Sequence, residues 1–127
     1  MSYETAKIIT DEGLEGLGRY YSVYRGIVID NNDVEKHMNR VKVCVPEVMG
    51  GVFAWAYPKG QHGSISSGFK FLAPKVGDMV FVTFEFGDPT KLLWEYHGWG
   101  MSQIPQPLDG PNKMGIVTPE GNLIVID

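Results

Sequence analysis

A chain of 127 residues, 43% apolar and 20% charged, is long enough to bury one core without disulfide staples and too apolar for disorder. Its 16 glycines and 8 prolines exceed ordinary usage and point to short elements joined by turns, hence an all-β class. A net charge of −4 argues against a general nucleic-acid binder, whose affinity comes from a basic surface set against phosphates; a local basic patch is still allowed.

Residues 1–19 carry Glu4, Asp11, Glu12 and Glu15 and hold no apolar stretch of signal-peptide length. Gly13, Gly16 and Gly18 predict an arm or loop there rather than a stable helix, ordered against a partner. No apolar run anywhere approaches the ~20 residues needed to span a bilayer. Stable membrane insertion by this chain is therefore not expected, and folding in the cytosol is. Tyr20 to Asp30 reads as a first strand, with Val23, Ile27 and Ile29 apolar and Gly26 marking a bulge or bend. Asn31-Asn32-Asp33 opens a polar loop that reaches about Asn39. Arg40 to Pro46 reads as a second strand. Val41, Val43 and Val45 share one face, Arg40, Lys42 and Cys44 share the other, and Pro46 ends the ladder. Cys44 is the single cysteine, so no internal disulfide forms, and its place beside Lys42 suggests an interface or partly exposed thiol.

Val52 to Tyr57 predicts a third strand stopped by Pro58, followed by a Gly/Ser/His loop from Lys59 to Gly68 and a short strand from Phe69 to Leu72. Val76-Gly77-Asp78 turns the chain into a fourth main strand, Met79 to Phe86. Val80, Val82, Phe84 and Phe86 fall at period two and predict one apolar face; Met79, Phe81, Thr83 and Glu85 make a mixed one. Gly87-Asp88-Pro89 is the exit turn, and Leu92 to Trp99 the fifth strand. Residues 101–114 read as an extended linker. In residues 115–127, Gly115 to Thr118 and Leu123 to Asp127 flank Pro119-Glu120-Gly121-Asn122 as a hairpin. Leu123-Ile124-Val125-Ile126 is an apolar edge that invites pairing, which burial against symmetry mates or as a sixth strand of the chain's own barrel would remove. Five strands within residues 20–100 predict a five-stranded Greek-key barrel of the OB type with a C-terminal β-hairpin extension; an SH3-like barrel is the alternative on pattern alone.

No catalytic set stands out. His37, His62 and His97 lie in three separate segments, without a second histidine or a cysteine at ligand spacing. Asp30, Asn32 and Asp33 lack the glycine and terminal glutamate of a calcium loop. Ser64, Ser66 and Ser67 have no nucleophile-elbow context. The expectation is therefore a non-enzyme with no catalytic residue, cofactor or metal.

In order along the chain, several pieces resemble the OB-fold domain of phage baseplate central-spike proteins and of type VI secretion (VgrG-type) spike proteins. Tyr24-Arg25-Gly26-Ile27-Val28-Ile29-Asp30 with Asn31-Asn32-Asp33 is similar to the family's first strand and polar loop. Arg40-Val41-Lys42-Val43-Cys44-Val45-Pro46 is similar to its second strand, where Asn39 stands in place of the usual glycine. Trp55-Ala56-Tyr57-Pro58, Pro74 to Pro89, and Leu93-Trp94 with Gly98-Trp99-Gly100 follow. The segment Asn112 to Asp127 resembles the family's passage from barrel to trimeric β-needle. Spike proteins usually continue into a long needle where this sequence stops. It contains neither a lysozyme domain nor a His-x-His metal apex, so piercing is expected to belong to a separate tip protein or to a longer chain.

The resemblance implies a structural component of a contractile tail baseplate. It would be a homotrimeric hub or spike protein that plugs the tail tube and joins a baseplate hub protein to a spike-tip protein, in the virion tail after assembly in the host cytoplasm. The expected trimer or partner interface comprises Arg40, Lys42 and Cys44 together with Leu123, Ile124, Val125 and Ile126. Nucleic acid is not expected as a partner. The alternative reading, a single-stranded nucleic-acid-binding OB domain, rests on aromatics such as Trp55, Tyr57 and Trp94 serving as stacking platforms. A glycan-binding module would rest on surface tryptophan.

Overall fold

The computed structural model describes residues 2–127. Five strands close into a barrel: β1 (Tyr24–Asp30), β2 (Val41–Cys44), β3 (Phe53–Pro58), and two later strands that become β6 (Met79–Phe84) and β7 (Leu92–Tyr96) once an intervening hairpin, β4 (His62–Ser64) and β5 (Ser67–Phe69), is counted. Around the barrel the order is β1-β2-β3-β7-β6, and β6 returns to β1. The β3–β7 pair is parallel and every other pair antiparallel. This is the Greek-key OB arrangement the strand spacing predicted.

Period-two alternation fills the interior. Val28, Val41, Val43, Val45, Val80, Val82, Leu92 and Trp94 are fully buried or nearly so, with Tyr24 and Phe84 closing one end against Tyr20. Burying such side chains contributes ~1.5–3 kcal/mol each before the entropy of ordering them is subtracted. Gly26 is not the bulge. The register slips between Val28 and Asp30, whereas Gly26 is a point of close packing, where a Cβ would stand 2.8 Å from Val82 Cγ2.

Four local expectations change. The alternation of the fourth main strand stops at Phe84, because Glu85–Gly87 wind into a 3₁₀ turn with Phe86 at φ 54°. Phe86 is therefore thrown out of the core and is exposed. The N-terminal segment forms a helix, α1 (Tyr3–Glu12), where none was expected. Its glycines fall after its end, with Gly13 at φ +73°, while the Ser2 hydroxyl accepts the Thr5 N–H at its start. The second strand ends at Cys44 and Pro46–Met49 forms a short helix, α2, with proline in its first turn. In the Gly/Ser/His loop, β4 pairs with β5, so the short strand expected at Phe69–Leu72 sits earlier, at Ser67–Phe69.

The chain divides into two units after His97. In the second unit, β8 (Met114–Val117) and β9 (Leu123–Ile126) pair as an antiparallel hairpin and with no other strand. The tail is thus its own two-stranded sheet and not a sixth barrel strand.

Candidate functional site

The loop between β1 and β2 is built around one carboxylate. Asp33 Oδ1 accepts the Lys36 N–H at 3.1 Å and Arg40 Nη2 at 2.9 Å. Its Oδ2 accepts the Met38 N–H at 2.9 Å, the Arg40 N–H at 3.3 Å and Arg40 Nε at 3.1 Å. Both side chains are buried. The forked guanidinium, aided by the three backbone N–H groups and opposed by burial, holds the Asp33 carboxyl well below the usual carboxylate range. The same pairing raises the Arg40 guanidinium further. Wrapping the chain so tightly puts His37 at φ 53° and Asn39 at φ 57°. Asparagine is among the non-glycine residues that best tolerate that left-handed region, which suits Asn39 to its place. The Asn39 carbonyl accepts the buried Trp94 Nε1–H at 3.2 Å, which ties the loop to the core.

Arg40, expected at a trimer or partner interface, is buried within the single chain, paired to Asp33 and lying over the rings of Trp55 and Tyr57 at 4.9 and 5.6 Å. Alternation alone faces it outward; the loop then folds back over it. Lys36 Nζ donates to the Tyr57 hydroxyl at 3.1 Å and approaches the same ring. Trp55 and Tyr57 of β3 thus each carry a cation of the same chain over a ring face.

Lys42 and Cys44 are half-buried on the outer face of β2, and the Cys44 thiol donates to the Gly50 carbonyl at 3.2 Å. Strand register places Phe53, Cys44, Ile27 and Met79 in one row across β3, β2, β1 and β6. Phe53, Ile27 and Met79 are exposed, so the mixed face of the fourth main strand continues as an apolar band. In the hairpin, Met114 pairs with Ile126 and Ile116 with Ile124, which sets four apolar side chains on one face. They are 62%, 56%, 48% and 67% exposed, respectively. Leu123 is exposed and Val125 half-buried on the opposite face. The second-strand and tail candidates fall in separate units.

Sequence reasoning missed a cleft of about 480 Å³ between the Asp33 loop and the β4–β5 hairpin. His37 and His62, apart in sequence, both line it. Among the described residues no group of three or more His, Cys, Asp or Glu side chains is placed to hold a metal ion. The only hint of the cleft in the sequence was the two polar loops themselves; their meeting depends on β2 and β3 being paired.

The family profile of the type VI secretion system/phage-baseplate injector OB domain matches residues 24–95, from the first residue of β1 almost to the end of β7. No curated protein matches the chain. The matched segment is the closed barrel itself and spans more than half of the sequence. On that match and that barrel, the chain belongs to the type VI secretion system/phage-baseplate injector OB-domain family, and its role is that of a structural baseplate domain.

Proposed function

We propose that this chain is a central hub or spike component that works as a homotrimer, closing the end of the tail tube and joining a baseplate hub protein to a spike-tip protein during penetration of the host envelope. The observation that carries the reading is the C-terminal hairpin, whose face of Met114, Ile116, Ile124 and Ile126 is exposed in the single chain. An apolar two-stranded ribbon of this kind is marginal alone, and a three-fold axis buries all copies equivalently. The band Phe53–Cys44–Ile27–Met79, with Lys42 and Arg40 beside it, offers a second contact between neighbouring barrels; Leu123 and Val125 complete the tail contact. In this reading the chain acts mechanically and without catalysis, in the virion tail after assembly in the host cytoplasm.

The oligonucleotide reading has less support. Its stacking platforms, Trp55 and Tyr57, are covered by Arg40 and Lys36, and the net charge is −4. Native mass measurement across a range of concentrations tests the main reading. Three copies per particle are expected, and a strict monomer at high concentration would defeat self-trimerisation. Electron micrographs of particles assembled without this chain should lack intact baseplates.

A further inference from the structure

The cleft between the Asp33 loop and the β4–β5 hairpin is lined mainly by uncharged polar groups and one exposed aromatic ring. Its acid, Asp33, is fully engaged by Arg40 and by three backbone N–H groups and brings no free charge to the wall. Lys70 is a single cation at the lining, too little to select an anion. Asn32, His37 and His62 are exposed there, and among the described residues their side chains make no hydrogen bond within the chain. A carboxamide both donates and accepts, and so does an imidazole in its neutral form. Three such groups, drawn from both walls, are left for a ligand.

The walls are held in place before any ligand arrives. Asn39 Nδ2 donates to Gln61 Oε1 at 3.0 Å, and Asn31 Nδ2 donates to the Pro74 carbonyl at 2.9 Å. Fixing the walls in this way lowers the ordering cost of binding. Phe69 lines the same cleft and is 55% exposed, with His62 and Phe71 flanking it at ring distances of 6.2 and 6.3 Å. The volume, about 480 Å³, falls in the range of small-molecule sites.

This lining fits one ligand chemistry better than its rivals. A nucleic-acid strand needs several cations along its phosphates, which the lining lacks. An apolar ligand would desolvate the carboxamide and imidazoles without pairing them. A sugar ring carries hydroxyls, each a donor and an acceptor, around its rim, and weakly positive C–H groups on its faces. The rim suits the carboxamide and imidazoles, and a C–H face suits the electron-rich face of an aromatic ring. We propose that this cleft binds a neutral saccharide, with Phe69 against a ring face and Asn32, His37 and His62 bonded to hydroxyls. The lining lies between positions 31 and 73, so failure at this site leaves the hairpin reading untouched.

Saturation-transfer difference NMR on the full chain reads weak sugar binding, with chitotetraose, maltotetraose and cellotetraose as separate probes. At least one should receive saturation on its ring C–H protons and titrate to a plateau. Phe69→Ala and Asn32→Ala should each weaken that binding about three- to tenfold. Phe69→Tyr, which keeps the ring, should bind as the parent does, and so should Phe86→Ala, which removes an exposed ring outside the cleft. Glucose and N-acetylglucosamine as competitors separate two sources of the same chemistry. Competition equal to that of the tetramers assigns the site to free sugars, and weaker competition assigns it to a polysaccharide; both uphold the saccharide. The proposal is overturned if none of the three probes receives saturation, or if Phe69→Ala and Asn32→Ala bind as the parent does. Stronger binding of a ten-residue oligothymidylate would make this a phosphate site, and stronger binding of an uncharged Gly-Ser octapeptide a peptide site. Either result also overturns the proposal.

Discussion

Replacing Ile124 with serine tests whether the hairpin face is a subunit interface. Ile124 is 67% exposed in the single chain, so about two-thirds of its side chain remains to be buried by association. Full burial of an isoleucine side chain stabilises by ~1.5–3 kcal/mol, so the share available to the interface is about 1–2 kcal/mol per chain. Three equivalent copies lose about 3–6 kcal/mol, or about 10² to 10⁴ in the trimer association constant. Trimer formation depends on the cube of chain concentration against the first power of trimer, so the midpoint moves by the square root of that factor, about ten- to hundredfold upward. Sedimentation velocity across a dilution series reads this shift directly. Ile124→Leu, which keeps the volume, should move the midpoint little. An Ile124→Ser chain that dissociates at the same concentration as the parent would refute the interface on this face, even if the parent proved trimeric.

Three further outcomes follow from the barrel. Gly26→Ala places a Cβ 2.8 Å from Val82 Cγ2 inside the closed barrel and should cost about 1–3 kcal/mol in urea unfolding. Trp94→Phe removes the indole N–H that Asn39 accepts and leaves that carbonyl short of a partner, for a loss of about 1–3 kcal/mol and a lower urea midpoint. The Asp33 carboxyl has its folded pKa below the unfolded value, so its stabilising effect is full above about pH 4 and fades as pH falls toward the folded value. Melting temperature should therefore drop on acidification below about pH 4, and Asp33→Asn should be less stable at neutral pH with a shallower acid limb. An unchanged acid limb in Asp33→Asn would show that the pair does not set the acid stability.

Much of the barrel was determined by the sequence alone. Val41, Val43, Val45, Val80, Val82 and Phe84 alternate with less apolar neighbours, and in an extended chain that alternation can face a core in only one way. The C-terminal hairpin was equally legible, since Pro119-Glu120-Gly121-Asn122 is turn chemistry set between two apolar runs. The family motifs lie in these same local patterns. Tertiary structure decided the rest, because the forces involved act across loops. Arg40 alternates with Lys42 and Cys44 as an outward residue, yet Asp33, seven positions earlier, folds over it and buries it. Phe86 continues the period of Phe84, but the 3₁₀ turn closed by the Asp88 N–H on the Glu85 carbonyl ends the strand first. The cleft exists only because pairing of β2 with β3 brings residues 31–39 and 58–73 together. The exposed face of the hairpin was visible as four apolar letters. Its pairing with Met114 and Ile116, and with no barrel strand, was settled by a register that only the folded chain possesses.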